Sequence, residues 1–364
     1  MKVLFQLVSG QVIPNITAHD YINPDEVVYF YTKQSVKELN QITNTLNQSY
    51  KQVEIDAFDY SNIYNKISEA LKLYLNSDTE ICLNFTNGTK IMSTAAYNLF
   101  SEFNLKRIYI NSENYEILEF QNHFPVKSNT INSLIDIDDI FSLHGHKIKS
   151  KTDPDLILIN DNYKTLYEFL KDNFKSLSSS ILNFAAKYDK NKLINFFRSN
   201  LIILFNNNKV SLTLKNKNNS ITINNEDINI IQFLRGDWFE YYCYQRIKEL
   251  NIFDKLYINV QIAWKNYKFK TEVKNQIDIF GIKGTIPYAI ECKSGSIKQE
   301  AIGQLAAIKN EYFDRYTKLI LISYFNTNPQ MIEKTIGNND IKHITINNIN
   351  ELKTEILKPI LKLR

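Results

Sequence analysis

Cysteine is scarce in this chain: Cys82, Cys243 and Cys292 are the only three, odd in number and far apart. That pattern argues against a disulfide framework and a CxxC metal site, and it fits a reducing compartment. Long apolar runs are missing too, since none reaches the ~18 residues that a bilayer-crossing helix needs. The N-terminal MKVLFQLVSGQVIPN has one Lys and a short apolar stretch but no small-residue cleavage site, so it reads as a first buried strand rather than a signal peptide. The cytoplasm is the expected compartment, with no membrane partner. Neither GxGxxG nor GxxxxGK[ST] occurs, which disfavours a conventional NAD or ATP site. There is no internal repeat and no low-complexity tail. Charge of one sign is lacking as well: 43 Lys and Arg stand against 39 Asp and Glu, a net +4. Any nucleic-acid footprint must then come from local clustering rather than from a globally basic field.

What is present is a globular composition, 44% hydrophobic and 23% charged, over 364 residues. That length is two to three times the usual ~100 to 150 residue domain, so two compact units are expected. In the first 148 residues, short apolar runs alternate with helical patterns. Strands are expected at Val3–Ser9, Glu26–Tyr31, Val53–Asp59, Thr79–Phe85 and Arg107–Ile110, with helices near 34–47, 61–75 and 90–103. This is the signature of βαβ units and a mostly parallel sheet. Lys147–Asp155 is polar with a Pro and reads as a linker. Helices over 162–205 and a hairpin over Val210–Ile223 follow, then a long helix over 227–250. Strands at Tyr257–Trp264, Gln276–Ile282 and Tyr288–Lys293, a helix over 299–313 and a strand over 318–324 complete the pattern.

The strongest constellation lies in that last block: NQIDIFGI, a KGTIP turn, then YAIECKSG. Side chains two apart on a strand share a face, so Glu291 and Lys293 point one way and Cys292 the other. The short hairpin brings Asp278 beside them. Paired carboxylate oxygens suit Mg²⁺ or Mn²⁺, and a neighbouring ammonium can position water and offset charge on a phosphoryl group. An ExK on a strand is ordinarily a solvated face, but the apolar flank Tyr288-Ala289-Ile290 argues against that here.

A second constellation is LNFTNGTKIMSTAAY over 83–97, where a strand ends at Phe85, the turn Thr86-Asn87-Gly88-Thr89 follows, and a helix begins near Lys90. Free N–H groups at a helix start favour phosphate, Gly88 permits close approach, and Lys90 adds charge. Ser9-Gly10-Gln11 and Asn15, after the first strand, are expected at the same carboxyl edge, where open α/β sheets bind ligands.

These residues carry two resemblances. Asp278 with Glu291-Cys292-Lys293 resembles the core of the PD-(D/E)xK nuclease superfamily, with Ile277 where the leading Pro would stand. The resemblance extends to Glu240, in RGDWFEYYCYQRI, as the first-helix acid and to Gln304, in AIGQLAAIK, as the Gln after the lysine strand. It implies a metal held by Asp278, Glu291 and the backbone carbonyl of Cys292. The first half resembles a CARF domain, the Rossmann-like sensor of cyclic oligoadenylates in type III CRISPR defence. Its two ligand places match Ser9, Gly10, Gln11 and Asn15, and Thr86, Asn87, Gly88, Thr89, Lys90 and Met92. Together they resemble the CRISPR ancillary nucleases of the Can and Card group. The fold implied is α/β throughout: a CARF-like sensor over 1–148, linking helices and a hairpin over 149–226, and a restriction-endonuclease-like nuclease over 227–364. The implied partners are a second copy in a homodimer, cyclic tetra-adenylate as activator, Mn²⁺ or Mg²⁺, and DNA or RNA as substrate.

Other residues draw weaker readings. His144-Gly145-His146 alternates like a metal pair, yet without nearby Cys or carboxylates it reads as a loop. Trp238, Trp264 and the many Tyr are read mainly as packing residues. Lys265, Lys268 and Lys270 in WKNYKFK form a basic, aromatic-interleaved stretch that either tracks a nucleic-acid backbone or is a solvated edge. A restriction- or repair-type nuclease would share the catalytic motif but cut without a second messenger.

Overall fold

The computed structural model describes residues 1–46, 48–75, 78–131, 135–189, 193–206, 209–263, 273–313, 317–326 and 340–361. The first unit is a seven-stranded sheet in the order β3-β2-β1-β4-β5-β6-β7. Its strands are β1 (Lys2–Leu7), β2 (Glu26–Tyr31), β3 (Tyr50–Glu54), β4 (Glu80–Asn84), β5 (Lys106–Asn111), β6 (Glu116–Gln121) and β7 (Phe124–Thr130). The first five run parallel and the last two return as an antiparallel hairpin that periodicity did not anticipate. Helices α2 (Val36–Leu46), α3 (Tyr60–Lys72) and α4 (Lys90–Glu102) lie where one-sided apolar spacing places them. Helix α1 (Ile13–Ile22) was not foreseen, because it buries residues all round rather than on one stripe: Ile13, Pro14, Asn15, Ile16, Thr17, Ala18 and Ile22. The chain leaves β1 toward β2 on one side while β4 pairs on the other, so a topological switch point lies between β1 and β4.

The second unit is a six-stranded mixed sheet in the order β17-β16-β15-β14-β13-β8. It comprises β8 (Ile148–Thr152), β13 (Lys255–Ala263), β14 (Val273–Lys283), β15 (Ile286–Lys293), β16 (Lys318–Ser323) and β17 (Ile341–Thr345). Lys147–Asp155 therefore holds an edge strand, β8, paired to β13, where a linker was expected. Between β8 and β13 lie α6 (Pro154–Ile157), α7 (Asp161–Lys187) and a four-stranded antiparallel sheet of β9 (Phe196–Arg198), β10 (Leu201–Asn206), β11 (Lys209–Lys215) and β12 (Ser220–Asn225). Helix was expected through residue 205, but the run FFRSNLIILF is apolar without a helical period and forms β9 and β10 instead. α8 (Ile230–Gln232) passes through a π turn at Phe233–Asp237 into α9 (Trp238–Leu250); α10 (Gln299–Tyr312) and α11 (Asn350–Leu361) complete the unit.

The two units share buried surface. α5 (Ile137–Leu143) packs Phe141 against Phe280 and Phe313, at ring separations of 5.7 and 5.0 Å, in a core that also holds Val8, Val12 and Ile13. On another face the β5–β6 turn inserts Tyr115, whose hydroxyl lies 2.8 Å from that of Tyr288 and donates to the Ile356 carbonyl at 3.2 Å. Gly284 receives this ring at φ +56, and a Cβ there would stand 2.7 Å from Tyr115 Cδ1. Gly284→Ala should therefore destabilise the protein by roughly 1–3 kcal/mol, combining left-handed strain with a displaced, hydrogen-bonded Tyr. A thermal melt should show a fall of a few degrees; an unchanged melt would mean the ring moves freely.

Candidate functional site

The candidate catalytic constellation is assembled by β14 and β15. They are antiparallel with Ile279 opposite Ile290, which sets Asp278 across from Glu291. Both carboxylates are buried, at 6% and 7% exposure, with Asp278 Oδ2 accepting from the Cys292 N–H at 2.8 Å. Lys293, next but one along the same face, donates through Nζ to Glu291 Oε1. α9 packs on β15 and brings Glu240 to the same charged group, together with Asp237 from the π turn. Asp237 was not singled out from sequence; its place in the RGDWFE segment, three residues before Glu240, was the available signal.

The electrostatics are those of like charges confined together. Burial, and then the Glu291 carboxylate, push Asp278 up to about 7, against the opposing pull of Lys293 and the Cys292 N–H. Glu240 is raised well above the usual carboxylate range by burial, then by Asp278 and Asp237. Burial works against the charge on Lys293, yet Glu291, Asp278 and Glu240 more than offset it and hold the ammonium protonated. One cation thus faces several acids, an imbalance that a divalent ion would relieve. Among the described residues, no group of three or more His, Cys, Asp or Glu is placed to hold a metal ion. A two-carboxylate oxygen set fits an open site for a hard ion rather than a structural zinc.

Gln304 is exposed on α10 and makes no hydrogen bond to the acids among the described residues. Cys292 turns its thiol into the opposite layer against Cys243, as the strand alternation requires. Trp264, Lys265, Lys268 and Lys270 lie outside the described residues. His144 Nδ1 and His146 Nε2 bond the carbonyls of Ile140 and Glu311, at 2.8 and 3.0 Å, consistent with a packed loop. Trp238 is fully buried, its ring 4.7 Å from that of Phe174.

The second constellation forms at the β1/β4 switch point. Thr89 caps α4, its Oγ1 accepting from Met92 N at 3.2 Å and donating to Ala57 O at 2.7 Å. Gly88 has φ +90, and a Cβ there would meet Met92 Cβ at 3.0 Å, so the turn depends on glycine. Lys90 is exposed at the first turn of the helix. Beneath the turn runs a buried amide network. Asn87 donates to Asn15 and to the Gln11 carbonyl, Asn15 and Asn84 both donate to Gln6 at 3.0 Å, and Thr86 Oγ1 donates to Asn84. Asn15 and Asn87 thus brace the loops from below, and Met92 is buried under Gly88. Gln6 and Asn84 were missed; a Gln inside LFQLV and an Asn inside CLNF, both at buried strand positions, were the signal.

Above this network opens a pocket of about 450 Å³ that includes Ser9, Gly10, Gly88 and Thr89, with Thr32, Gln34, Glu38 and Phe58 from the neighbouring segments. A second of about 470 Å³ continues past Thr32 and Phe58 to Asp56 and Asn62. The ends of β2 and β3 contribute because parallel strands all finish on one edge.

A Rossmann-like unit with a pocket at its switch point, joined through a shared core to a sheet carrying Asp278, Glu291 and Lys293, defines a protein that couples a ligand-binding type of domain to a nuclease fold. Residues 3–139 match the family described as the Card1 CARF domain, and residues 227–359 match the Card1-like endonuclease domain. The chain belongs to the CARF-domain PD-(D/E)xK nucleases of the Card1 type. Can2 from Sulfobacillus thermosulfidooxidans, solved in complex with cyclic tetra-adenylate, superposes with a TM-score of 0.73 at 18% identity, covering 99% of each chain. Protein VC1899 from Vibrio cholerae gives 0.73 at 14% identity, over 98% of this chain and 97% of that one. A type III CRISPR defence DNA nuclease activated by cyclic oligoadenylate gives 0.57 at 12% identity, over 93% of this chain and 52% of that one. At these identities the likeness is one of fold. No curated protein matches the chain. Among the described residues, no helix is long and apolar enough to cross a membrane.

Proposed function

We propose that this chain is a metal-dependent endonuclease of type III CRISPR defence, switched on by a cyclic oligoadenylate and cutting DNA, RNA or both. The observation that carries it is the buried Asp278–Glu291–Lys293 group, with Glu240 beside it, on the same chain as a switch-point pocket built over a glycine-dependent helix N-terminus. The functional division is a sensor over 1–148, a connecting unit over 149–226 that lends β8 to the edge of the nuclease sheet, and a nuclease over 227–364.

Asp278, Glu291 and the Cys292 carbonyl would hold the divalent ion, Mn²⁺ or Mg²⁺. When bound, it would supply positive charge against the negative charge developing on the phosphoryl oxygens. Lys293 keeps its proton and adds an ammonium to the same face, fixed in place by Glu291. Glu240, protonated more readily than an ordinary carboxylate, lies within the same field and can hold a proton near the reacting group.

On the sensor side, the α4 N-terminus and Lys90 would take a phosphate, and the exposed ring of Phe58 offers a stacking surface for a base. A homodimer would set two such pockets across a two-fold axis, which suits a ring of the same symmetry such as cyclic tetra-adenylate. Contacts lead from one site toward the other: Thr86 Oγ1 accepts from Ile110 N at 2.8 Å on β5, and the turn after β5 carries Tyr115 to Tyr288 on the strand of Glu291.

Labelled DNA and RNA should be cut only when Mn²⁺ or Mg²⁺ and cyclic tetra-adenylate are both present, and EDTA should reduce cleavage to background. Full activity in EDTA would sink the metal assignment. Cleavage indifferent to cyclic oligoadenylates would make this an unregulated nuclease of the restriction or repair type.

A further inference from the structure

Residues 187–225 contain seven Lys and Arg against a single acid, Asp189, although the whole chain carries only +4. The rest of the chain is therefore net acidic, and the basic excess falls in the stretch of sequence that contains the β9–β12 sheet. This segment falls between the two family matches, which end at residue 139 and resume at 227. The sheet's own hydrogen bonds sort its charges. Leu201 pairs with both Arg198 and Leu214, Lys215 pairs with Ser220, and Lys215 N donates to Asn200 O at 3.0 Å. The β9–β10 and β11–β12 turns therefore close the same end, which gathers Arg198, Lys215 and Lys217, all exposed. Phe197, 64% exposed beside Arg198, adds an uncovered ring. The paired charges lie at the other end, where Lys209 meets Glu226.

The basic end is anchored toward the catalytic edge. Asn200 donates to Ser176 O and accepts from Ser180 Oγ, and Asn216 donates to Asn173, all on α7. Asp172 is the carboxylate nearest to these anchors in sequence, and Lys171 and Lys175 flank it. From its other side, α7 touches the segments that leave the active-site strands. Leu182 packs so closely on Gly295, two residues past Lys293, that a Cβ there would stand 2.8 Å away. The Phe174 ring lies 4.7 Å from that of Tyr324, whose N–H donates to the Lys293 carbonyl at 3.0 Å.

Resting on the nuclease reading, we infer that Arg198, Lys215 and Lys217 form a phosphate-backbone clamp that holds the nucleic-acid substrate beside the Asp278–Glu291–Lys293 site. Phosphates are the occupant that the charge selects. The contacts carry no base code, so the clamp adds affinity without sequence preference. The exposed Phe197 ring is suited to stacking on an unpaired base.

The test is a triple neutral variant, Arg198→Gln/Lys215→Gln/Lys217→Gln, beside a charge-retaining control, Arg198→Lys/Lys215→Arg/Lys217→Arg. Affinity for fluorescein-labelled mixed-sequence DNA and RNA, single-stranded and duplex, is read by anisotropy across a salt series. Cleavage rates of the activated full-length protein are read in parallel, and thermal melts confirm folding. Loss of three phosphate contacts should flatten the slope of log affinity against log salt by about 2 to 3. KM should rise roughly tenfold or more with kcat unchanged, as expected when binding common to ground and transition states is lost. The control should keep the wild-type slope. An unaltered slope and KM in the neutral variant would overturn the clamp while leaving the nuclease reading intact. A wild-type protein that binds nucleic acid with the full slope but never cuts would overturn the nuclease reading instead.

Discussion

Glu291→Ala and Lys293→Ala should each reduce activated cleavage by on the order of 10³-fold or more, corresponding to ~4 kcal/mol of transition-state stabilisation. The expectation rests on how little redundancy the site has. Asp278 and Glu291 are the two carboxylates facing one another on β14 and β15, and Lys293 is the cation that Glu291 holds on their face. Removing Glu291 deletes a metal oxygen and frees Lys293. Removing Lys293 leaves Asp278 and Glu291 repelling each other in a buried site, which drives one of them to take up a proton. Activator binding to the other unit should be unaffected in both variants. Initial rates at saturating activator and metal, with calorimetric affinity for cyclic tetra-adenylate, give the comparison. Undiminished cleavage in both variants would move the active centre elsewhere.

Lys90→Glu should raise the cyclic tetra-adenylate concentration needed for half-maximal activation by ~10- to 100-fold. The substitution puts a carboxylate at the exposed first turn of α4, where the helix end and the Thr86–Thr89 turn favour an anion. Like charges there repel a ligand phosphate, and a loss of ~1.4 kcal/mol is already tenfold in affinity. An effector shifts an equilibrium only through its differential affinity for the two states, so the maximal rate and any activator-independent rate should stay the same. Titrating activator against cleavage for wild type and variant, alongside a direct binding measurement, separates the two. Coincident activation curves would mean that the first unit responds to something else.

The D…ExK motif was legible in the sequence because it is local. Asp278, Glu291 and Lys293 lie on one hairpin, so strand alternation and a short turn suffice to bring them together. Gln304 lies on a separate helix, α10, where its side chain is exposed, so spacing alone does not fix its relation to the hairpin. In the first unit, β1, β2, β4 and β5, and the helices that follow β2, β3 and β4, could be read from one-sided or strand-like apolar patterns. α1 could not, because a helix buried on all sides has no stripe to detect.

The alternation of strands and helices, the D…ExK hairpin and the glycine turn at the head of α4 are written into local stretches of sequence. Each depends on residues close along the chain and on fixed backbone periods. The rest came from the packing of the whole chain. It set Gln6, Asn15, Asn84 and Asn87 in one buried network, brought Glu240 and Asp237 to Asp278, seated Tyr115 against Tyr288, and gathered Arg198, Lys215 and Lys217 at one end of a sheet. These residues come from distant segments, and neither periodicity nor motif spacing specifies their meeting. It follows from which buried faces must be covered and which buried polar groups must find partners when the whole chain packs.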